Sequence, residues 1–265
     1  MFESFGKAEK VCTLAVYFRA FDDFPLIIAA NRDEHYDRPS AAPSLLPTTP
    51  KIVSGRDLRA GGTWLGCNER GLAVGILNRH LNDDPPLLPS ARSRGALCRD
   101  LLMQNSATEA TELLRGHRIR YNPFTVLFAD PHAAYVAHNE DQAILNQRLD
   151  AGLHVFSSAA DFELHSSKAR RAEALFAEVK NRVPLLGFDL SASIKALQAV
   201  LADHSLPQGS TNPGDAICVH RETSGTVSSS ILFFSQSRSR FESYYCKGPP
   251  CRNSFGDALG LEYRE

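Results

Sequence analysis

A thiol at Cys12 and a polar cluster at Asn31-Arg32-Asp33-Glu34 are the residues whose types and spacing could carry covalent chemistry. Cys12 stands in VCTLAVYFR (11–19), the cluster closes LIIAANRDE (26–34), and the turn-forming AFDDF lies between. Two aliphatic runs so joined read as an antiparallel hairpin, which sets Cys12 at the end of the sheet where Asn31, Arg32 and Asp33 finish. A carboxylate beside a guanidinium stays ionised below its usual range, and such a pair orients a substrate or holds a thiolate. The alternative is plainer: Arg32 and Asp33 bridge each other at a strand end, and Cys12 packs as a small apolar side chain.

The elements needed to hold these groups alternate in blocks. Residues 37–51 carry four prolines and no periodicity, and read as a loop. GGTWLG and GLAVGILNR (61–79) predict two short strands. GALCRDLLMQ then predicts a helix, and Ser106 with Glu109 forms a capping box that opens a second, TEATELLRGH. PFTVLFAD, AAYVAHN and LHVFSSA return to strands. Ala172, Leu175, Phe176 and Val179 mark one amphipathic helix, and Ile194, Leu197, Val200 and Leu201 another. DAICVHR, TVSSSILFFS and FESYYC predict the last strands, with 247–265 as a loop-like tail. Strands, a helix pair, strands, a helix pair and strands again predict an α+β layered architecture with helices outside two sheets, in one domain over 1–265.

Composition narrows the partners. Lys plus Arg (29) and Asp plus Glu (30) leave a net charge of -1, so no global field steers the chain to nucleic acid or anionic lipid. The apolar runs fall short of the roughly 20 residues of a membrane span, and MFESFGKAEK with the patch after it lacks the features of a signal peptide. Six sparse cysteines (12, 67, 98, 218, 246 and 251) predict reduced thiols and a cytoplasmic location. Cys246-x4-Cys251 would need two further ligands to hold zinc, and the neighbouring sequence offers none, so free thiols and no metal are expected. Histidines such as 35, 80, 117 and 154 show no metal-ligand spacing. The basic start of SSKARRAEALFAEVKNR reads as a solvated face. Gly-x-Gly-x-x-Gly, phosphate-loop, His-Glu-x-x-His and Gly-x-Ser-x-Gly patterns are all missing, which lowers nucleotide-binding, zincin and α/β-hydrolase readings.

VCTLAVYFRAFDDFPLIIAANRDEHYDRP, GGTWLG, Ser93-Arg94-Gly95 and YNPFTVLFAD together resemble the NRDE family, also called the transport and Golgi organisation 2 family, from Cys12 to about Phe234. The resemblance implies a four-layer αββα fold of the N-terminal nucleophile (Ntn) hydrolase kind, similar to choloylglycine hydrolases and cysteine-type penicillin acylases. Those enzymes begin Met-Cys-Thr and lose the methionine. The freed α-amine, with a pKa of about 7.7–8, then serves as base for its own thiol. Here MFESFGKAEKV precedes Cys12, so the chemistry requires a new terminus: residues 1–11 are a propeptide cut at Val11-Cys12, or Val11 marks a GTG start translated as methionine, the preferred expectation. By matched position the resemblance makes Cys12 the nucleophile, Arg32 and Asp33 the orienting pair, and Asn78 an oxyanion donor. Asn31 braces the cluster, and Asn31, Ser158 and Trp64 are expected at the substrate. Two positions depart from the family pattern: Ser158 stands where Asn is common, and Val227 where Arg often stands. Amide hydrolysis or acyl transfer is the first function implied, with no cofactor. The second is non-enzymatic, in haem trafficking or lipid homeostasis, where the same cleft takes haem or another amphipathic ligand. The tail carries Pro250-Cys251 rather than a Cys-Pro haem motif.

Overall fold

The computed structural model describes residues 11–80, 87–116, 118–140, 143–158, 166–182 and 189–264. Two antiparallel sheets are packed face to face. The first runs β10-β1-β2-β11-β12-β13, built from β1 (Thr13–Phe18), β2 (Leu26–His35), β10 (Gly152–Ser157), β11 (Ser224–Ser235), β12 (Arg240–Lys247) and β13 (Leu259–Glu262). The second runs β3 to β9 in chain order: β3 (Ser40–Leu46), β4 (Ile52–Asp57), β5 (Leu65–Asn68), β6 (Ala73–Asn78), β7 (Phe124–Ala129), β8 (Ala134–Glu140) and β9 (Ala143–Arg148).

Three apolar layers follow from the period-2 alternation of the strands. Leu14, Val16 and Phe18 of β1 and Leu26, Ile28 and Ala30 of β2 meet Leu65, Ala73 and Leu127 between the sheets. The intervening Ala15, Tyr17, Ile27 and Ala29 face α3 (Ser167–Arg182) and α4 (Leu190–Leu201) through Ala172, Phe176 and Leu197. On the far side Val74, Val126 and Phe128 pack against α1 (Arg94–Leu102) and α2 (Ala107–Arg115). The expected four-layer αββα arrangement is therefore present. Strands buried on both faces need apolar residues at every position, which is why LIIAA lacks an alternating pattern.

Several local expectations hold. The hairpin is in register Thr13↔Asn31, and the Ser106 hydroxyl accepts the Glu109 amide at 3.1 Å at the start of α2. Others need correction. The proline-rich stretch is not all loop, since β3 forms an edge strand whose register shifts between Ala41 and Ser44; Pro43 sits in that irregularity, where its missing N–H is tolerated. The tail contains β13, paired to β12 from Arg240↔Glu262 to Ser243↔Leu259. DAICVHR is no strand: it begins in a 3-10 turn at Pro213–Asp215 and reaches β11 through the isolated bridge His220↔Gly225 and the Thr226 amide, which donates to the Val219 carbonyl at 2.9 Å. Residues 1–10 and His117 lie outside the described residues.

Candidate functional site

The alternation that builds the core also divides the polar cluster. Even-numbered residues of β2 face the opposite sheet, so Arg32 points between the sheets; odd-numbered Asn31 and Asp33 point to the helix layer. The expected Arg32/Asp33 pair therefore does not form. Asp33 is paired with Lys168 of α3, whose Nζ lies 3.3 Å from Oδ2, and Thr226 donates to Oδ1 at 2.6 Å. Burial raises the Asp33 carboxyl above its usual value, against the pull of the Lys168 ammonium and the Thr226 hydroxyl. This reverses the expectation of a carboxylate held low by Arg32.

Lys168 is itself 1% exposed, so the reading of this helix start as a solvated face fails at Lys168, while Arg170 is exposed and Arg171 half-buried. The signal was present, because Lys168 precedes Ala172 by four residues and continues the stripe of Ala172, Phe176 and Val179. Its Nζ also donates to the Val11 carbonyl and, at 3.3 Å, to that of Gly214.

Cys12 is half-buried, immediately before β1. The Asp33 amide donates to its sulfur at 3.3 Å, and the thiol lies 3.5 Å from the Asp33 carbonyl. Ser158 holds the Cys12 carbonyl through its amide at 3.2 Å. Burial first, and then the Asp33 charge, push the thiol up to about 11, outweighing the Asp33 amide, Arg32 and Lys168. The group beside Val11 is thus a thiol at neutral pH and needs a base. Among the described residues, none that lines the cleft over Cys12 is a histidine.

That cleft encloses about 180 Å³ and is walled by Arg32, Asp57, Trp64, Asn78, Arg92 and Arg94 among others. Arg32 lies over Trp64, 4.6 Å from the ring centroid, and reaches Asp57 at 3.3 Å. Its Nη1 is buried without a hydrogen-bond partner. Burial would raise Asp57, but the Ala60 amide and the Arg38 and Arg32 guanidiniums overcome it and hold the carboxyl below its usual range. The GGTWLG loop gains its place by backbone contact: Thr63 donates to the Gly95 carbonyl at 3.1 Å, and a Cβ on Gly62 would meet the Gly95 carbonyl carbon at 2.4 Å. This close approach explains why the Gly-Gly and Ser-Arg-Gly motifs occur together.

Of the residues expected at the site, Cys12, Arg32, Asp33, Trp64 and Asn78 line the cleft. Asn31 does not. Its amide donates to the Leu201 and Ile217 carbonyls at 2.8 and 2.9 Å and its oxygen accepts from Ser229, so it braces strand to helix layer and does not line the cleft. Ser158 acts through its backbone; its fully buried hydroxyl has no partner and is not part of the cleft wall. Val227 is the extra residue of a β-bulge between Thr226 and Ser228. Lys168, Asp57, Arg38 and Thr226 were missed, the last three because only tertiary packing brings them in.

The Cys246/Cys251 reading also changes. Cys246 turns to the carbonyls of Gly248 and Asn253, whereas Cys251 lies 3.8 Å from Cys218, beside His220 and His204. Partners absent from the nearby sequence are supplied by distant segments.

Comparison with known proteins agrees with this frame. The chain resembles a mutant of the conjugated bile acid hydrolase of Clostridium perfringens, with a TM-score of 0.58 and 12% identity over 96% of this chain and 97% of that one. It also resembles a Caenorhabditis elegans N-acylethanolamine-hydrolyzing acid amidase ortholog, with a TM-score of 0.53 and 15% identity over 83% and 92% of the two chains. These likenesses establish the Ntn-hydrolase fold. In sequence it is 37% identical over 132 residues to the mouse transport and Golgi organization 2 homolog, and 35% identical over 134 residues to the human one. Each alignment covers 44% of this chain and 45% of the relative, so the match spans under half of those proteins. The pattern of the family described as Transport and Golgi organisation 2 matches residues 11–244, from the residue before Cys12 into β12, and the chain belongs to that family.

Proposed function

We propose that the protein is an Ntn-type cysteine amidohydrolase or acyltransferase that acts on a C–N bond with Cys12 as its first residue. The carrying observation is that the half-buried Cys12 thiol opens on the cleft while Lys168, paired with Asp33, grips the carbonyl of the residue before it. Removal of that residue puts an α-amine beside the pair. Asp33 accepts a hydrogen bond from the amine, and the Lys168 ammonium opposes the pull of that carboxylate on the amine's proton. The start of the family match at Val11 supports the same terminus.

The reaction then runs within one residue and its neighbours. The amine takes the thiol proton, directly or through one water, and the thiolate attacks the amide carbon. Asn78, on the same wall, stabilises the oxyanion. Collapse breaks the C–N bond, the α-ammonium returns its proton to the departing amine, and a thioester remains on Cys12. Water, or a second amine in acyl transfer, attacks the thioester; the amine base accepts its proton and passes one to sulfur as the thiol leaves. The unpartnered Arg32 Nη1 supplies a charged donor for an acceptor on the substrate, which favours an acyl group carrying an oxygen or a negative charge.

Intact mass and an acylating thiol probe test the proposal on native protein and on protein started at Met-Cys12. Chains beginning at free Cys12 should be labelled and turn over, and Cys12→Ala should do neither. Turnover by material that retains Met1, or by Cys12→Ala, would overturn it.

A further inference from the structure

Outside the cleft, four side chains from three separate segments converge on one point. His204 follows α4, Cys218 and His220 precede β11, and Cys251 lies between β12 and β13. One ligand atom from each falls within 4.8 Å of the others. The Cys218 and Cys251 sulfurs are 3.8 Å apart, and His220 Nε2 lies 3.3 Å from the Cys251 sulfur and 3.7 Å from that of Cys218. Zinc with Zn–S of about 2.3 Å and Zn–N of about 2.0–2.1 Å sets two sulfurs of a tetrahedron about 3.8 Å apart, and a sulfur and a nitrogen about 3.5 Å apart. The spacings are thus those of tetrahedral edges.

The surroundings prepare the four groups. His204 Nδ1 lies 3.1 Å from the Cys218 carbonyl, a contact that makes Nδ1 the donor and leaves Nε2 as the ligand. The Cys218 amide donates to the Asp203 carbonyl at 2.9 Å, and Asp203 is fixed by Arg171 of α3 at 2.6 Å. Gln198 of α4 donates to the Pro250 and Asn253 carbonyls, both at 3.1 Å, clasping the segment that bears Cys251. Cys218 is buried, His220 and Cys251 half-buried and His204 exposed, so an ion can enter from one side and find closed ligation on the others. One buried thiol, one half-buried thiol and two imidazoles gain a neutral, fully bonded state once a divalent cation replaces the two thiol protons.

We infer that His204, Cys218, His220 and Cys251 form a Cys2His2 site for zinc or a similar tetrahedral divalent cation, with a structural role. Four protein ligands leave no open position for substrate, and the ion joins the end of α4, the lead into β11 and the β12–β13 connection. It also stands behind the proposed active site: Ile217, next to Cys218, and Leu201, three residues before His204, supply the carbonyls that hold Asn31.

Cobalt(II) tests this on the full chain, stripped with chelator and kept reduced. One equivalent should bind with the thiolate-to-cobalt charge-transfer band and the strong visible bands of tetrahedral cobalt, be displaced by zinc, and raise the melting temperature. Cys251→Ser should lose the bands and the rise, and Cys246→Ser, whose sulfur faces elsewhere, should keep both. Absence of the bands in reduced protein, or their persistence in Cys251→Ser, would overturn the site. A Cys218–Cys251 disulfide in freshly isolated protein that binds no cobalt after reduction would overturn it in favour of a redox pair.

Discussion

Lys168 Nζ and Asp33 Oδ2 lie 3.3 Å apart with both side chains shut from solvent, one on α3 and the other at the end of β2. The pair fixes the helix layer to the strand that carries the polar cluster, and meets the chain at the carbonyl before Cys12. Asp33 raised by burial and Lys168 beside it depend on each other for solvation.

Lys168→Met leaves Asp33 buried without its counter-ion, which costs about 3–5 kcal/mol of folding stability. Adding Asp33→Asn should return a large part of that loss, because no unpaired charge then remains. Urea unfolding of the two variants measures both numbers, and equal stability of the single and double variants would show that the two groups are not coupled.

In a chain that retains Val11, Cys12 alkylation should be slow at neutral pH and climb about tenfold per pH unit until the pH reaches about 11, where burial and the Asp33 charge set the thiol. The sign follows from the raised value: the inert protonated form dominates below it. A chain beginning at Cys12 should react faster near neutral pH, where its amine removes the proton. Mass spectrometry of the Cys12 peptide gives both profiles, and a plateau below pH 8 in the extended chain would contradict the environment described.

Arg32→Lys retains a charge but not the planar group that spans Trp64, Asp57 and the cleft. The second-order rate of labelling of the Cys12-started chain by an anionic acyl probe should fall roughly 10–100-fold through loss of a charged hydrogen bond. A neutral probe with the same leaving group should change little. Equal losses for both probes would assign Arg32 to holding the cleft's shape instead.

Gly62→Ala places a methyl group against the Gly95 backbone at 2.4 Å, where no flexible side chain can yield. A destabilisation of about 1–3 kcal/mol is expected from the forced backbone shift. Gly116→Ala, where a Cβ meets nothing within 4 Å, is the control, and equal midpoints for the two variants would show that the close contact does not limit stability.

Much of this was legible before any coordinates. The aliphatic continuity of VCTLAVYF and LIIAA specified strands covered on both faces, and the hairpin set Cys12 at the end that holds Arg32 and Asp33, as the register Thr13↔Asn31 bears out. The stripe of Ala172, Phe176 and Val179 specified α3. The errors came where a local pattern was weak. An edge strand such as β3 has a half-exposed, proline-bearing sequence that resembles a loop, and DAICVHR has a strand's composition yet lies outside both sheets.

Local periodicity, the capping box and the glycine motifs are properties of neighbouring residues, and the chain's own order settled them. Charge partners are not. The alternation along β2 was readable, but only the stacking of two sheets and two helix layers decided that Arg32 meets Asp57 and Trp64 while Asp33 meets Lys168, 135 residues away. The same holds for His204, Cys218, His220 and Cys251, which no sequence spacing groups together. A long-range pair costs loop-closure entropy that nothing within either segment encodes; the shared apolar layers supply the stability that offsets it, so those layers choose which polar groups face each other.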